Sequence, residues 1–277
     1  MTGDQKSGSQ EPKLKTIRAL ERGLDVMRIL QEQGPSTLHK IYQTSGLPRP
    51  TILRVLRTLE GAGWVRRGLG DGLYRNSFKM VHMVDGLDHT DRLAEIAAPH
   101  LDALCQKASW PSDLVVLNSK NLHMELKESS RASTPFLLNR DAIGHRINLP
   151  LSAVGRVYLA FCEDDERNEL IERLKKSKNR ANRIVRDDAK FAELLAEIRR
   201  LGYATRDPSF GGGQLPLKSD HDDGLDAVAV PIMVKTEILG CITMVWIRKA
   251  APIQEFVDEH LSDLQLAATD IANQYDK

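Results

Sequence analysis

Apolar residues recur at helical spacing in the first part of this chain and at alternating spacing further on, with the change near Pro111. Leu20, Leu24, Met27 and Leu30 form a stripe that predicts a first helix, ending before Gly34-Pro35. Leu38, Ile41 and Tyr42 share one face of a second, shorter helix, and Ser36 stands where a cap is needed. Gly46 ends that helix, because a residue without Cβ enters the left-handed conformation of a tight turn at little cost. Pro48 and Pro50 mark the start of a third helix, where a missing N–H matters least. Ile52, Val55, Leu56 and Leu59 make its buried stripe and leave Arg49, Thr51, Leu53, Arg54, Arg57 and Thr58 outside. Residues 64–67 and 73–75 flank Gly68-Leu69-Gly70-Asp71-Gly72, which predicts two short strands around a Gly/Asp turn, a wing.

Beyond the wing, residues 78–87 and 91–108 read as helices. The second lines up Leu93, Ile96, Ala97, Leu101, Leu104 and Cys105 on one face, suited to a second subunit's copy or to its own chain. Strands at 114–117 and 122–126 flank Ser119-Lys120-Asn121, and strands at 226–234 and 238–247 flank Lys235-Thr236-Glu237. Helical patterns fall near 153–162, 165–177, 187–201 and 253–275. Strand pairs at both ends with helices between them predict an antiparallel sheet covered by helices, an α+β fold. The expected organisation is a disordered tail over 1–13, a winged helix-turn-helix over 14–77, linker helices over 78–108 and a larger domain over 109–277.

Charge sharpens this division. The 277 residues carry a net charge of only +1, but residues 13–76 hold 12 Lys/Arg against 5 Asp/Glu, and residues 77–277 hold 26 against 31. A basic segment joined to an acidic body is the footprint of a nucleic-acid-binding module tied to a non-binding one, so the partner expected is double-stranded DNA. Such a module lays its second helix in the major groove, with base edges read by the first residues of that helix. Arg49, Thr51 and Arg54 are the candidates for base contact, arginine being able to donate twice to guanine. Leu53 suits a thymine methyl. Arg57, Arg66, Arg67 and Arg75 suit phosphates, which fix position but carry no sequence.

Chemistry is sparse. Ser152 and Ser209 lack a GxSxG context, and Gly211-Gly212-Gly213 is followed by no GK[ST]. Asp220, Asp222, Asp223 and Asp226 with His221 lack the spacing of a calcium loop and read better as a solvated loop. His82 and His89, seven apart, read as surface positions. The three cysteines, Cys105, Cys162 and Cys241, form no CxxC and fit buried thiols in a reducing compartment. No catalytic residue, metal or cofactor is expected. Residues 1–12 are polar rather than a signal peptide, and no apolar run is long enough to span a membrane, so a soluble cytoplasmic protein is expected.

ALERGLDVMRIL with GLPRPTILRVLRTLEGAGWVRR, GHRINLPLSAVGRVYLAF (144–161), and LGYATRDP with DAVAVPI and ILGCITMVWI resemble the IclR family of bacterial transcriptional regulators. The likeness runs over nearly the full length, and WPSDLVVLN (110–118) resembles in particular the branch serving 3-hydroxyphenylpropionate catabolism. Tyr42 departs from the pattern, standing where the family carries a small residue. The resemblance implies a GAF-like effector domain, dimers formed through the DNA-binding and linker helices, and dimers of dimers. It also implies that the backbone at Ala153 and Val154 holds an effector carboxylate, a role suited to a helix start. Asp207, Ala227, Thr243 and Val245 fall at the pocket positions, with Trp110, Asp113, Arg146 and Tyr158 as further lining candidates. Alanine and valine would leave the polar groups of a glyoxylate-like acid unpaired. The effector expected is therefore an aromatic carboxylic acid, the alternatives being a small non-aromatic acid or an enzyme that turns over its ligand.

Overall fold

The computed structural model describes residues 16–80, 89–136, 142–213 and 216–277. The chain divides into two compact units, Met1–Gly86 and Leu87–Lys277.

In the first unit, α1 (Arg18–Gln33), α2 (Leu38–Ser45) and α3 (Arg49–Gly61) are followed by the hairpin of β1 (Val65–Arg67) and β2 (Tyr74–Asn76). Val26, Leu30, Ile41, Ile52, Leu56, Val65 and Tyr74 make one core. Gly46 closes α2 at φ 64°, as its position requires. Two details differ from the sequence expectation. The cap of α2 is Thr37, whose hydroxyl accepts from the Lys40 N–H at 3.1 Å. Ser36 is occupied elsewhere, exchanging two 2.9 Å backbone hydrogen bonds with Tyr74 at the base of the hairpin. In α1 the buried residues are Val26, Ile29 and Leu30, while Leu20 and Leu24 stay 59% and 58% exposed. Of the expected stripe, Leu30 and Met27 do reach the core, and Leu20 and Leu24 do not, because this helix is apolar on two faces.

The second unit begins with α4 (His89–Ala108), β3 (Ser112–Asn118), β4 (His123–Ser129) and β5 (Arg146–Asn148). It continues through α5 (Ala153–Phe161), α6 (Asp164–Lys176), a 3-10 helix (Arg180–Arg186), α7 (Asp188–Leu201) and β6 (Ala204–Thr205). The long hairpin of β7 (Leu225–Val234) and β8 (Glu237–Ile247) leads into α8 (Ile253–Tyr275). The six strands form one antiparallel sheet in the order β5-β4-β3-β8-β7-β6.

Alternation along the central strands feeds two cores. Val228, Val230, Ile242, Met244 and Trp246 pack under α4 and α8, whereas Ala227, Ala229, Cys241 and Val245 face α5 and its neighbours. Trp246 stacks on Phe256 of α8 at 3.8 Å between ring centroids. The apolar face of α4, with Leu93, Ala97, Leu101 and Leu104, belongs to this same core. It is therefore spent on its own chain. His82 and most of the helix expected over 78–87 lie outside the described residues. Among the described residues, no helix is long and apolar enough to cross a membrane.

Candidate functional site

Two surfaces merit attention, one in each unit. In the first, α3 points Leu53 (41% exposed), Arg54 and Arg57 to solvent while Ile52 and Leu56 anchor it from beneath. Among the described residues, Arg54, Arg57 and Arg66 carry no side-chain partner. Arg49 is held: its guanidinium donates to His39 Nδ1 at 3.2 Å and lies 5.4 Å from the centroid of the Tyr42 ring. Tyr42, the large residue where the family carries a small one, is thus a shelf for an arginine. Arg67 and Arg75 are engaged as well. Arg67 Nε donates to the Gly72 carbonyl at 2.9 Å and the group sits over Tyr74, and Arg75 pairs with Asp71.

In the second unit a cavity of about 290 Å³ opens where α5 begins. Its floor is the sheet. Asp113 and Thr243 are neighbours across β3 and β8, and Ala227 and Val245 are neighbours across β7 and β8. Ala153 and Val154 line it from the first turn of α5, whose N–H groups lack intrahelical acceptors. Ser152 caps that turn by accepting from the Gly155 N–H at 3.1 Å. Gly155 allows the turn to lie against the preceding loop, since a Cβ there would sit 1.9 Å from the Leu149 carbonyl oxygen. Arg146 contributes to the lining and has no partner among the described residues.

Of the polar lining, the sequence pointed to Asp113, Arg146 and Thr243 and missed Arg131, Arg206 and Asp223. Asp113, 2% exposed, accepts from Ser129 Oγ at 2.6 Å and from Arg131 Nε and Nη2 at 3.2 and 2.7 Å. Burial pulls the Arg131 guanidinium down, but Asp113 outweighs it and leaves that group above its ordinary value. Arg206 Nη1 donates to both oxygens of Asp223 at 2.9 Å and packs over Phe210. Gly212 lines the wall because a Cβ there would meet Asp223 Oδ2 at 1.9 Å. The acidic cluster read as a solvated loop is an ion-pair set instead: Asp223 pairs with Arg206, and Asp222 and Asp226 with Arg248. No spacing rule signals partners 17 to 26 residues away.

Three expected lining residues are not in this cavity. Asp207 accepts from Arg156 and from the Ser209 N–H, the latter at 2.9 Å. Tyr158 donates from its hydroxyl to Glu166 Oε1 at 3.0 Å, and burial pushes its phenol above the ordinary range. Trp110 stacks on Phe136 at 4.3 Å and belongs to the core on the far side of the sheet. Asp207 was expected here through the family resemblance and Tyr158 and Trp110 as further lining, but their side chains are engaged elsewhere.

A reactive arrangement is not what these groups make. Ser152 Oγ donates to the Asn148 carbonyl at 2.6 Å, and Ser209 Oγ donates at 2.6 Å to Asp207, a carboxylate already paired with Arg156. Burial pushes the Cys162 thiol up to about 12 and Cys241 higher still. Among the described residues, no three His, Cys, Asp or Glu side chains cluster to hold a metal.

Residues 19–68 match the IclR helix-turn-helix domain, and residues 86–273 match the bacterial transcriptional regulator IclR C-terminal domain. The chain belongs to the IclR family. It is a DNA-binding transcriptional regulator, and its family and relatives are regulators, not enzymes.

The IclR-family assignment agrees with individual relatives. The DNA-binding transcriptional repressor YiaJ of Escherichia coli is 27% identical over 78% of this chain and 72% of its own. The HTH-type transcriptional regulator XynR of the same organism is 23% identical over 78% and 80%. An IclR homologue from Microbacterium hydrocarbonoxydans, solved in complex with 4-hydroxybenzoate, shares the fold with a TM-score of 0.52 at 22% identity, over 93% of this chain and 99% of that one.

Proposed function

We propose that this IclR-family regulator senses an aromatic carboxylic acid in the cavity at the start of α5 and adjusts its affinity for DNA accordingly. The observation that carries this reading is the pairing of Ala227 with Val245 on the cavity floor, beside a helix start where the N–H groups of Ala153 and Val154 precede the one that Ser152 caps. The carboxylate sits on the backbone of Ala153 and Val154, where free donors and the helix dipole favour an anion. The ring lies on Ala227, Val245 and Phe210. Thr243 already donates to the Val228 carbonyl at 2.7 Å, so toward a ligand it acts only as an acceptor. Asp113 accepts from a ring hydroxyl, and Arg146 faces the open side. The homologue that holds 4-hydroxybenzoate supports an aromatic acid as a ligand this fold accommodates.

On DNA, Arg49, Thr51 and Arg54 read bases with Leu53 against a methyl, while Arg57 and Arg66 hold phosphates. The exposed apolar side of α1, Leu20 and Leu24, together with Ile17 just before it, is the surface on which two copies pair. The dimer then presents two recognition helices to half-sites about 34 Å apart, and pairs of dimers assemble on longer operators. Effector alters DNA affinity by as much as it prefers one arrangement of the dimer over the other.

Titration calorimetry of the full chain with benzoates, hydroxyphenylpropanoates, phthalates and glyoxylate tests the ligand class. Heat from an aromatic acid, with glyoxylate silent, is the expected outcome. Tight glyoxylate binding with no response to any aromatic acid overturns the reading.

A further inference from the structure

The most exposed large apolar side chain among the described residues is Leu69, at 106% of its reference area, and it sits at the tip of the β1–β2 hairpin. The turn that carries it is stapled. Gly68 N–H donates to the Leu73 carbonyl at 2.9 Å and Gly72 N–H to the Gly68 carbonyl at 3.0 Å. Leu73 N–H donates to Asp71 Oδ1 at 3.0 Å, Arg75 pairs with Asp71, and Arg67 Nε donates to the Gly72 carbonyl. Gly68 completes the packing, since a Cβ there would come within 2.2 Å of Asp71 Oδ1. Two arginines and an aspartate are thus spent on shaping a turn that exposes a leucine.

The base of the hairpin is equally fixed. Val65 and Tyr74 are buried in the same core as Ile52 and Leu56 of α3, so the tip is held relative to the recognition helix. The five residues from Val65 to Leu69, the first three of them in β1, span at most roughly 13 Å, the scale of one phosphate strand beside the groove that α3 occupies. Arg66, exposed and without a partner among the described residues, stands on the way.

We propose that Leu69 is a wedge that enters the minor groove beside the major groove read by α3 and opens one base step there. Leucine is among the apolar side chains that part stacked bases in this way. The step it selects is pyrimidine–purine, TA or CA/TG, because these unstack at least cost. Specificity then extends beyond the bases α3 touches, through deformability rather than hydrogen bonding. The inference rests on the DNA-reading role of α3 and adds a second contact at a fixed distance from it.

Selection of binding sites from a randomised duplex pool, with the full chain as wild type, L69A and L69F, tests it. The wild type is expected to enrich a TA or CA/TG step at a constant offset from the bases set by α3. L69A is expected to keep those bases, lose the step, and bind the wild-type site roughly tenfold more weakly, the scale of one mismatched pair. Its salt dependence stays unchanged because no phosphate contact is lost. L69F retains the step, and 2-aminopurine placed there brightens with wild type and with L69F but not with L69A. An L69A pool still enriched in the same step, or a wild-type pool with no step at constant offset, overturns the proposal. So does a variant that changes only sedimentation, which would make the tip a protein contact. A wild-type pool lacking any base set by α3 would instead overturn the reading of α3 itself.

Discussion

Asp207 is bound by Arg156, not by the cavity. The two side chains pair where both are mostly shielded, 15% and 8% exposed, and Arg156 Nε also donates to the Pro150 carbonyl at 3.3 Å. Burial lowers the Arg156 pKa, and Asp207 offsets part of that loss. Removing the acid leaves a shielded cation alone, a change that costs about 3–5 kcal/mol in comparable pairs. Asp207→Asn should therefore lower the midpoint of urea unfolding while leaving benzoate affinity within error. Normal stability with lost affinity would put Asp207 in contact with the effector.

Ala153 occupies the first position of α5, and Ser152 before it is extended at φ −80°, ψ 155°, a geometry that accepts a following proline. Proline is tolerated at this position because only a free N–H is deleted. Ala153→Pro should retain the melting temperature and weaken a carboxylate ligand by roughly tenfold or more, the worth of one hydrogen bond to a charge. Calorimetry on variant and wild type decides it. Unchanged affinity would move the carboxylate elsewhere.

The free and the engaged arginines should separate in salt titrations. Arg66→Ala should weaken all duplexes alike and reduce the salt slope by about 1. Arg54→Ala should change which bases are selected and leave that slope closer to wild type. The reverse pattern would exchange their roles.

Tyr42 holds the guanidinium of Arg49 from below. At an exposed site such a contact is worth about 0.5–1 kcal/mol, so Tyr42→Ala should weaken selected DNA a few-fold and Tyr42→Leu similarly, while Tyr42→Phe should not. Fluorescence anisotropy with the selected duplex measures this. Equal binding by all four proteins would remove the shelf from the recognition account.

The thiols should be silent in the folded protein. With Cys162 pushed up to about 12 by burial and Cys241 fully enclosed, almost no thiolate exists near pH 8. Ellman's reagent should label neither until denaturant is added. Rapid labelling of the native chain would show that these thiols are accessible rather than enclosed.

The sequence exposed the helix-turn-helix readily because its signals are local: a glycine turn, prolines at a helix start, and an apolar stripe within one helix. The β7–β8 hairpin was legible for the same reason. Errors came where two solutions shared one pattern. α1 is apolar on both sides, and only packing selects Val26 and Ile29 over Leu20 and Leu24. The cavity was half legible. Ala153, Val154, Ala227, Thr243 and Val245 came through resemblance, whereas Arg131, Arg206 and Phe210 reach it along loops whose course no periodicity encodes.

Ser112 and Asp113 are consecutive on β3 and serve opposite sides of the sheet. Asp113 lines the cavity, while Ser112 Oγ donates to the Leu101 carbonyl of α4 at 2.8 Å. One peptide unit therefore separates the chamber from the helix through which the chain runs back toward its amino-terminal unit. A group held by Asp113 in the chamber would be one residue away from a bond to α4, as with a partition wall that has a fixture bolted on each face.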